Sequence, residues 1–323
     1  MTERAPGQDR VLVLADPRAG TAAQALGIAE RLGEPFRTIP LAWSALAGLP
    51  FPWPTLAGLA TGPRRAVREL APTPRLVISA GRRAAPVALW LKRHRGARTV
   101  HCMRPGPGAA RFDLLVLGRH DAPREAPNLL PVLGAVHRVT AARLAEARAE
   151  WAEALTLLPS PRVALLLGGP SRAVGLDPAV AAALGARVAG FAGSVLATAS
   201  RRTGAAATEA LSAAISSVPH RLYRWGEMGP NPYLGFLAWA DAVVVSGDSV
   251  SMISEALAGT APVFIADLGV SGARQRRLHE SLYAAGQARP IEAAPAPFRR
   301  APLDESGRVA AAIRARGLLE GPG

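Results

Sequence analysis

The sequence predicts an α/β fold in two domains, on three observations. The chain has 323 residues, and single cores stop growing at ~250–300 residues, so two domains are the natural expectation. Short apolar runs alternate with helical periodicity throughout, the pattern of parallel sheets with crossover helices. Leu158-Pro159-Ser160-Pro161 then breaks the chain near its middle, and a fresh series of the same units begins; prolines so spaced cannot continue a helix. The expected organisation is a Rossmann-like domain over 1–158, a second over 159–300, and a C-terminal helix and tail over 301–323 that packs back on the first. The two halves share one grammar, which implies a cleft between them.

In the first half, Val11–Ala15, Phe36–Pro40, Leu76–Ala80, Arg98–Cys102 and Leu114–Leu117 read as strands, with Asn128–Val132 a further one. Helical patterns run over Thr21–Leu32, Ala84–His94 and Ala141–Leu155. In the second half, strands are expected at Val163–Leu167, Ser194–Thr198, Arg221–Tyr223, Ala242–Ser246 and Pro262–Ala266. Glu292–Pro302 is a Pro/Ala connector, and Asp304 is placed to cap a last helix to Leu319.

Composition narrows the function classes. Hydrophobic residues make up 49% and charged residues 19%, enough apolar material for buried cores and too little charge for a disordered chain. The net charge is +14, carried by arginine, since Lys92 is the only lysine. Two readings stand: a generally basic surface from coding bias, or a basic face for anionic lipid or phosphorylated ligands. Nucleic acid is disfavoured, because no aromatic-interleaved basic strand or recognition helix is present. The single cysteine, Cys102, excludes an internal disulfide and a multi-cysteine metal site and is expected to be a buried thiol. His94, His101, His120, His137, His220 and His279 show no metal-ligand spacing, and His279 is expected to be exposed on a basic helix. No run reaches the ~18 apolar residues of a membrane span, and Met1–Arg10 lacks the apolar core of a secretion signal. The expectation is a cytoplasmic protein.

In open α/β sheets ligands bind at the carboxyl ends of the strands, so the residues after each strand come first. Ser246-Gly247-Asp248-Ser249-Val250-Ser251 follows a buried strand and opens a helix. Free N–H groups and the positive dipole end make such a corner an anion site. Ser249 and Ser251 supply hydroxyls, and Glu255, one turn on, supplies a carboxylate for ribose. The alternative is that Asp248 or Ser249 merely caps the helix. Ser200-Arg201-Arg202, directly after the strand Ser194–Thr198, suits a diphosphate or carboxylate, because guanidinium forks match such oxygens. Gly168-Gly169-Pro170-Ser171 lets backbone approach a ligand closely, with Gly169 and Ser171 the candidates. On the first half, Asp16, Gly20 and Thr21, with Gly81 and Arg82, hold equivalent positions; a strand-to-helix turn without ligand is the competing reading. Asn231 and Tyr233 stand in a Gly/Pro-fixed loop that either contacts the cleft or caps the next helix. No Ser–His–Asp order or nucleophile elbow occurs. Trp43, Leu46, Leu49, Phe51, Trp53 and Leu56, followed by Arg64, Arg65 and Arg68, suit a monotopic membrane contact or a lid on the core.

Several of these segments together carry a resemblance over roughly residues 11–291. They are Gln24-Ala25-Leu26-Gly27, Gly81-Arg82-Arg83-Ala84-Ala85-Pro86-Val87-Ala88, Phe112-Asp113-Leu114 and Gly134-Ala135-Val136-His137-Arg138-Val139-Thr140 in the first half. In the second they are Gly168-Gly169, Thr198–Thr203, Asn231-Pro232-Tyr233-Leu234-Gly235 and Asp248-Ser249-Val250-Ser251-Met252. The chain resembles the family of the plant elongated-mitochondria fission protein and its bacterial relatives. The resemblance implies the two-domain GT-B architecture with a nucleotide-sugar donor on the C-terminal domain. It would place donor phosphates near Ser249 and Ser251, the diphosphate near Arg201 and Arg202, and ribose near Glu255. The family is also labelled as nucleoside-diphosphate-sugar epimerases, a label that fits poorly with a chain lacking the nicotinamide glycine fingerprint. Where the family usually carries Gly-His-Glu-Asn, this chain has Gly20-Thr21-Ala22-Ala23, and Met103-Arg104-Pro105 replaces Gln-Asp-Pro. The obvious general bases are thereby lost, leaving Asp16 as the remaining candidate.

The resulting expectation is metal-independent glycosyl transfer from a nucleotide-diphosphate sugar, with no cofactor, to an acceptor at the inner face of the membrane. The alternative is a non-catalytic GT-B-shaped adaptor that recruits partners to a membrane.

Overall fold

A computed structural model describes residues 10–49, 51–170, 175–269, 272–292 and 295–320. It contains two compact units, one of residues 1–138 and 304–323, the other of 139–303.

The first unit is built on six parallel strands: β1 (Val11–Ala15), β2 (Phe36–Pro40), β3 (Leu76–Ala80), β4 (Arg98–Cys102), β5 (Leu114–Gly118) and β6 (Leu129–Val132), in the order β2-β1-β3-β4-β5-β6. Its strands are apolar on both faces because helices cover both. Val11 and Val13 face α1 (Ala19–Leu32) and the last helix, whereas Leu12 and Leu14 face the cluster containing α2 (Thr61–Arg68) and α3 (Ala85–Arg95). The order reverses between β1 and β3, so the switch point, where such sheets bind ligands, falls at the ends of those two strands.

The second unit repeats the plan. β7 (Arg162–Leu167), β8 (Ser194–Ala199), β9 (His220–Tyr223), β10 (Ala242–Ser246), β11 (Val263–Ala266) and the short β12 (Arg289–Pro290) form a parallel sheet ordered β12-β11-β10-β7-β8-β9. Counted from β7, this is the 3-2-1-4-5-6 order of dinucleotide-binding sheets, and the switch point lies between β7 and β10. Helices α6 (Pro178–Ala189) and α7 (Ala205–Ala214) pack on one face through Leu184, Val188 and Leu211. Helices α9 (Val250–Ala256) and α10 (Ala273–Ala284) follow β10 and β11.

The residues before the double proline belong elsewhere than the sequence places them. The pattern over 141–155 forms two helices, α4 (Ala141–Glu150) and α5 (Ala152–Leu155), and both lie in the second unit. Leu155 and Trp151 pack with Phe236 and Trp239 of α8 (Tyr233–Trp239) beneath Leu196. Trp239 Nε1 donates to Arg148 O at 2.9 Å, and the Arg148 guanidinium lies 4.2 Å from the Trp239 ring centroid. The boundary therefore falls after Arg138 and not after Leu158. The last helix, α11 (Glu305–Ala315), belongs to the first unit. Leu133 N donates to Glu305 Oε1 at 2.9 Å, Ser306 Oγ donates to His137 O at 2.7 Å, and Arg31 pairs with Asp304.

One buried polar pair stitches the first sheet. Ser79 Oγ and His101 Nδ1, on neighbouring strands, are 2.7 Å apart and fully buried, with the imidazole stacked on Phe112 at 4.8 Å. Burial depresses the His101 pKa to about 3. The unfolded chain, at an ordinary pKa near 6.5, takes up a proton that the folded chain refuses, so this contribution is complete above ~pH 6.5 and is lost as pH falls towards 3. In urea unfolding, the stability difference between wild type and His101→Gln should shrink by ~1 kcal/mol per pH unit from pH 6 to pH 4. Parallel curves would contradict a neutral buried imidazole.

Candidate functional site

At the switch point of the second sheet, three strand-end loops converge. After β7, Gly168 N donates to Ser246 Oγ at 2.8 Å and Gly169 N donates to Asp248 Oδ2 at 3.0 Å. The Arg202 guanidinium, from the loop after β8, lies 3.2 Å from the same Asp248 oxygen. The Asp248 side chain is 5% exposed, and its Oδ1 has no hydrogen-bond partner among the described residues. Gly169 is required here by space, because a Cβ at that position would fall on the Arg202 carbonyl. Thr203 Oγ1 closes the corner, 2.9 Å from Leu167 O and 2.6 Å from Gly168 O. Ser200 Oγ accepts from Arg202 N at 3.2 Å, a local turn that fixes the arginine loop.

Of the two cap candidates, Ser249 caps α9, its Oγ accepting from Met252 N at 3.5 Å, while Asp248 turns back to β7. Ser251 stands on the first turn of α9, partly exposed. Ser171 lies outside the described residues. A cavity of about 550 Å³ opens beside the corner, lined by Arg201, Arg202, Thr203 and the first residues of α7. Arg201 is exposed and forms no hydrogen bond or ion pair among the described residues. Helix α7 follows Gly204, which offers no side-chain cap, and its first residues line the cavity.

Glu255 and Tyr233 form a second polar cluster in this unit. Tyr233 donates its phenol proton to Glu255 Oε2 at 2.7 Å. Burial raises the Glu255 pKa, against the opposing effects of that hydrogen bond and the Arg143 charge. Burial, then the Glu255 charge, holds the Tyr233 phenol well above its ordinary value. Asn231 Oδ1 accepts from Tyr233 N at 3.0 Å, an Asx turn leading into α8. Tyr233, read from sequence as a cleft-loop residue, thus meets Glu255, read as ribose-side, within a single unit, whereas Gly20, Thr21, Gly81 and Arg82 lie in the other.

His279 corrects the sequence reading. It is 5% exposed, not a surface residue of the basic helix, and its Nε2 donates to Gly247 O at 2.8 Å. A Cβ at Gly247 would meet the imidazole at 2.7 Å, so the glycine and the histidine fit each other and together set the turn from β10 into α9. The available signal was spacing, since Leu278, His279 and Leu282 share the buried face of α10.

In the first unit, Asp16 closes β1, buried, with its Oδ1 accepting from Arg18 N at 2.9 Å. Gly20 is exposed on the first turn of α1, and Thr21 lies within 3.0 Å of the position a Gly81 Cβ would take. Gly81 adopts φ +83°, the left-handed region glycine tolerates, as the chain leaves β3. Arg82 is exposed at the rim of a separate cavity. Over this unit Trp43 packs on the core, while Leu46, Leu49 and Trp53 are 49%, 54% and 56% exposed. Arg64 donates to Ala57 O and Leu59 O, and Arg65 pairs with Glu69. Among the described residues no cluster of His, Cys, Asp and Glu is placed to hold a metal ion, and no helix is long and apolar enough to cross a membrane.

Two six-stranded parallel sheets, each reversing its strand order once and each with polar residues on its carboxyl-edge loops, define a GT-B-like double-Rossmann protein. Solved structures share the fold. Os79 from O. sativa in complex with UDP superposes with a TM-score of 0.56 at 12% identity, over 96% of this chain and 91% of that one. The UDP-GlcNAc 2-epimerase from Methanocaldococcus jannaschii gives 0.50 at 11% identity, over 94% and 98%. Residues 19–317 match the family model for mitochondrial fission ELM1, and the chain belongs to that family. The mitochondrial fission protein ELM1 of Arabidopsis thaliana is 32% identical over 219 residues, 59% of this chain. That match spans about half, 51%, of the relative's length.

The burial of His279 has a measurable cost. His279→Ala leaves a cavity and an unpaired Gly247 carbonyl and should destabilise the second unit by ~2–3 kcal/mol in chemical denaturation. A change near zero would mean that the imidazole does not support the β10–α9 turn.

Proposed function

We propose that this chain binds a nucleotide-diphosphate sugar at the carboxyl ends of β7, β8 and β10 and transfers its sugar, without a metal ion, to a membrane-associated acceptor. The cavity beside Arg201 and Arg202 carries this reading. It places two guanidinium groups and the uncapped start of α7 around one space. Guanidinium forks and helix N-termini match phosphate oxygens in charge and geometry. In this reading they hold the leaving diphosphate where a divalent ion would otherwise serve. The shared fold with Os79, crystallised with UDP, supports a nucleoside diphosphate as the ligand class. Asp16, at the switch point of the first sheet, is the candidate base there, and exposed Leu46, Leu49 and Trp53 are the candidate membrane contact.

A second reading, a non-catalytic adaptor, is favoured by two observations. Gly20-Thr21-Ala22-Ala23 offers no base. The Asp248 carboxylate already takes the Gly169 N–H and the Arg202 guanidinium, as an incoming phosphate would.

Calorimetry with a panel of nucleoside diphosphates tests the binding. At least one should bind the intact protein, and Arg202→Ala should weaken it about tenfold; silence across the panel would overturn the reading. Release of free nucleoside diphosphate from the bound sugar nucleotide separates transferase from adaptor. Asp248→Asn tests the corner itself. It keeps an acceptor for Gly169 but removes a negative charge, so diphosphate affinity should rise several-fold; an unchanged affinity would place the phosphates away from Asp248.

A further inference from the structure

The first unit holds a cavity of about 170 Å³ at the carboxyl ends of β3 and β4, beneath the segment that carries Leu49 and Phe51. Its walls are of two kinds. Leu49, Phe51, Pro86 and Val87 make an apolar side, and Arg82 and Arg83 make a cationic one. The volume is close to that of the ~150 Å³ apolar cavities that hold a benzene ring, so it accepts one small hydrocarbon segment. Most arginines with a carboxylate near them use it: Arg65 pairs with Glu69, Arg138 with Glu30 and Arg308 with Glu305. Arg82 and Arg83 have no hydrogen bond or ion pair among the described residues. Two guanidinium groups lining one cavity, neither committed among the described residues, match a dianionic phosphate better than a single carboxylate.

The roof over this cavity is anchored. Thr55 N donates to Pro86 O at 3.2 Å, Ser44 N donates to Gly58 O at 2.9 Å, and Trp43 bridges to Leu59. Its outer side nevertheless leaves Leu46 and Leu49 about half exposed. A hydrocarbon chain leaving the cavity would continue along apolar surface.

We propose that this cavity binds a phosphate monoester of an apolar alcohol, with the phosphate on Arg82 and Arg83 and the first carbons of the chain against Leu49, Phe51 and Val87. Its role as acceptor rests on the transfer reading; the binding does not. Such an acceptor does not depend on Asp16 as a base, nor on the His and Glu that Gly20-Thr21-Ala22-Ala23 lacks. A phosphate monoester is already ionised near neutral pH. Its oxygen attacks the anomeric carbon of the donor sugar, a new carbon–oxygen bond forms, and the bond from that carbon to the diphosphate breaks. The nucleoside diphosphate leaves with the electron pair, and no proton has to be removed from the nucleophile.

Calorimetry of the intact protein with geranyl monophosphate is the test. Binding is expected, with inorganic phosphate and geraniol each weaker by about tenfold or more. Arg82→Glu and Leu49→Asp, both at exposed positions, should each abolish it while leaving nucleoside diphosphate binding to the second unit unchanged. Leu157→Asp, at an exposed leucine of that second unit, is the control and should change nothing. No binding of geranyl monophosphate, or binding that survives both substitutions, would overturn the proposal. So would decanoate binding as tightly, because the site would then read only a chain with any anion. Loss of nucleoside diphosphate binding alone strikes the transfer reading and leaves this site standing.

Discussion

The second unit is organised around one buried carboxylate. Asp248 accepts from the backbone of the loop after β7, faces the guanidinium of the loop after β8, and itself begins the turn after β10. A carboxylate with so little exposure is tolerated only because it is paired. In return it joins three strand ends at the position where the sheet order reverses. It also sets the electrostatic problem for any anion arriving there. Two unit charges ~4 Å apart at a protein surface interact by roughly 4 kcal/mol, an opposition comparable to what one guanidinium supplies. The cations not already committed to Asp248, Arg201 foremost, therefore decide whether the corner holds a phosphate.

The parallel strands were legible because both faces of each sheet are covered, and such strands read as continuous apolar runs. Val163–Leu167 and Ala242–Ser246 are of this kind, and the structure forms them there. The domain boundary was not legible. The double proline is the loudest local signal in the chain, yet Trp151 and Leu155, before it, bury themselves against Phe236 and Trp239, some eighty residues later. Local backbone chemistry marks where a helix ends. It says nothing of which sheet the helix then covers.

The polar corner was legible in outline and not in wiring. Strand, glycine, hydroxyl and arginine patterns located the loops holding Gly169, Arg202 and Asp248. That Asp248 would reach across to Gly169 and leave the cap to Ser249 depends on the pairing of β10 with β7, a tertiary fact. His279 shows the same limit. Surrounded in sequence by Arg274, Arg276 and Arg277, it reads as a surface residue, and only the carbonyl of Gly247 explains why it is inside.

The two units share a plan but differ in what their strand ends offer. The second presents guanidinium groups and a helix start without a side-chain cap. The first presents a small, largely apolar cavity lined by two arginines that are unpaired among the described residues, with Asp16 accepting from the backbone of Arg18. General base catalysis on an alcohol acceptor requires a proton acceptor free to reach it, and Gly20-Thr21-Ala22-Ala23 provides none. Two chemical outcomes remain consistent with that loop: a chain that binds without turnover, or one whose nucleophile arrives already ionised. Under the acceptor proposal, Arg82 and Arg83 are what would hold a nucleophile of the second kind, and whether a phosphate bound there turns over is what separates the two outcomes.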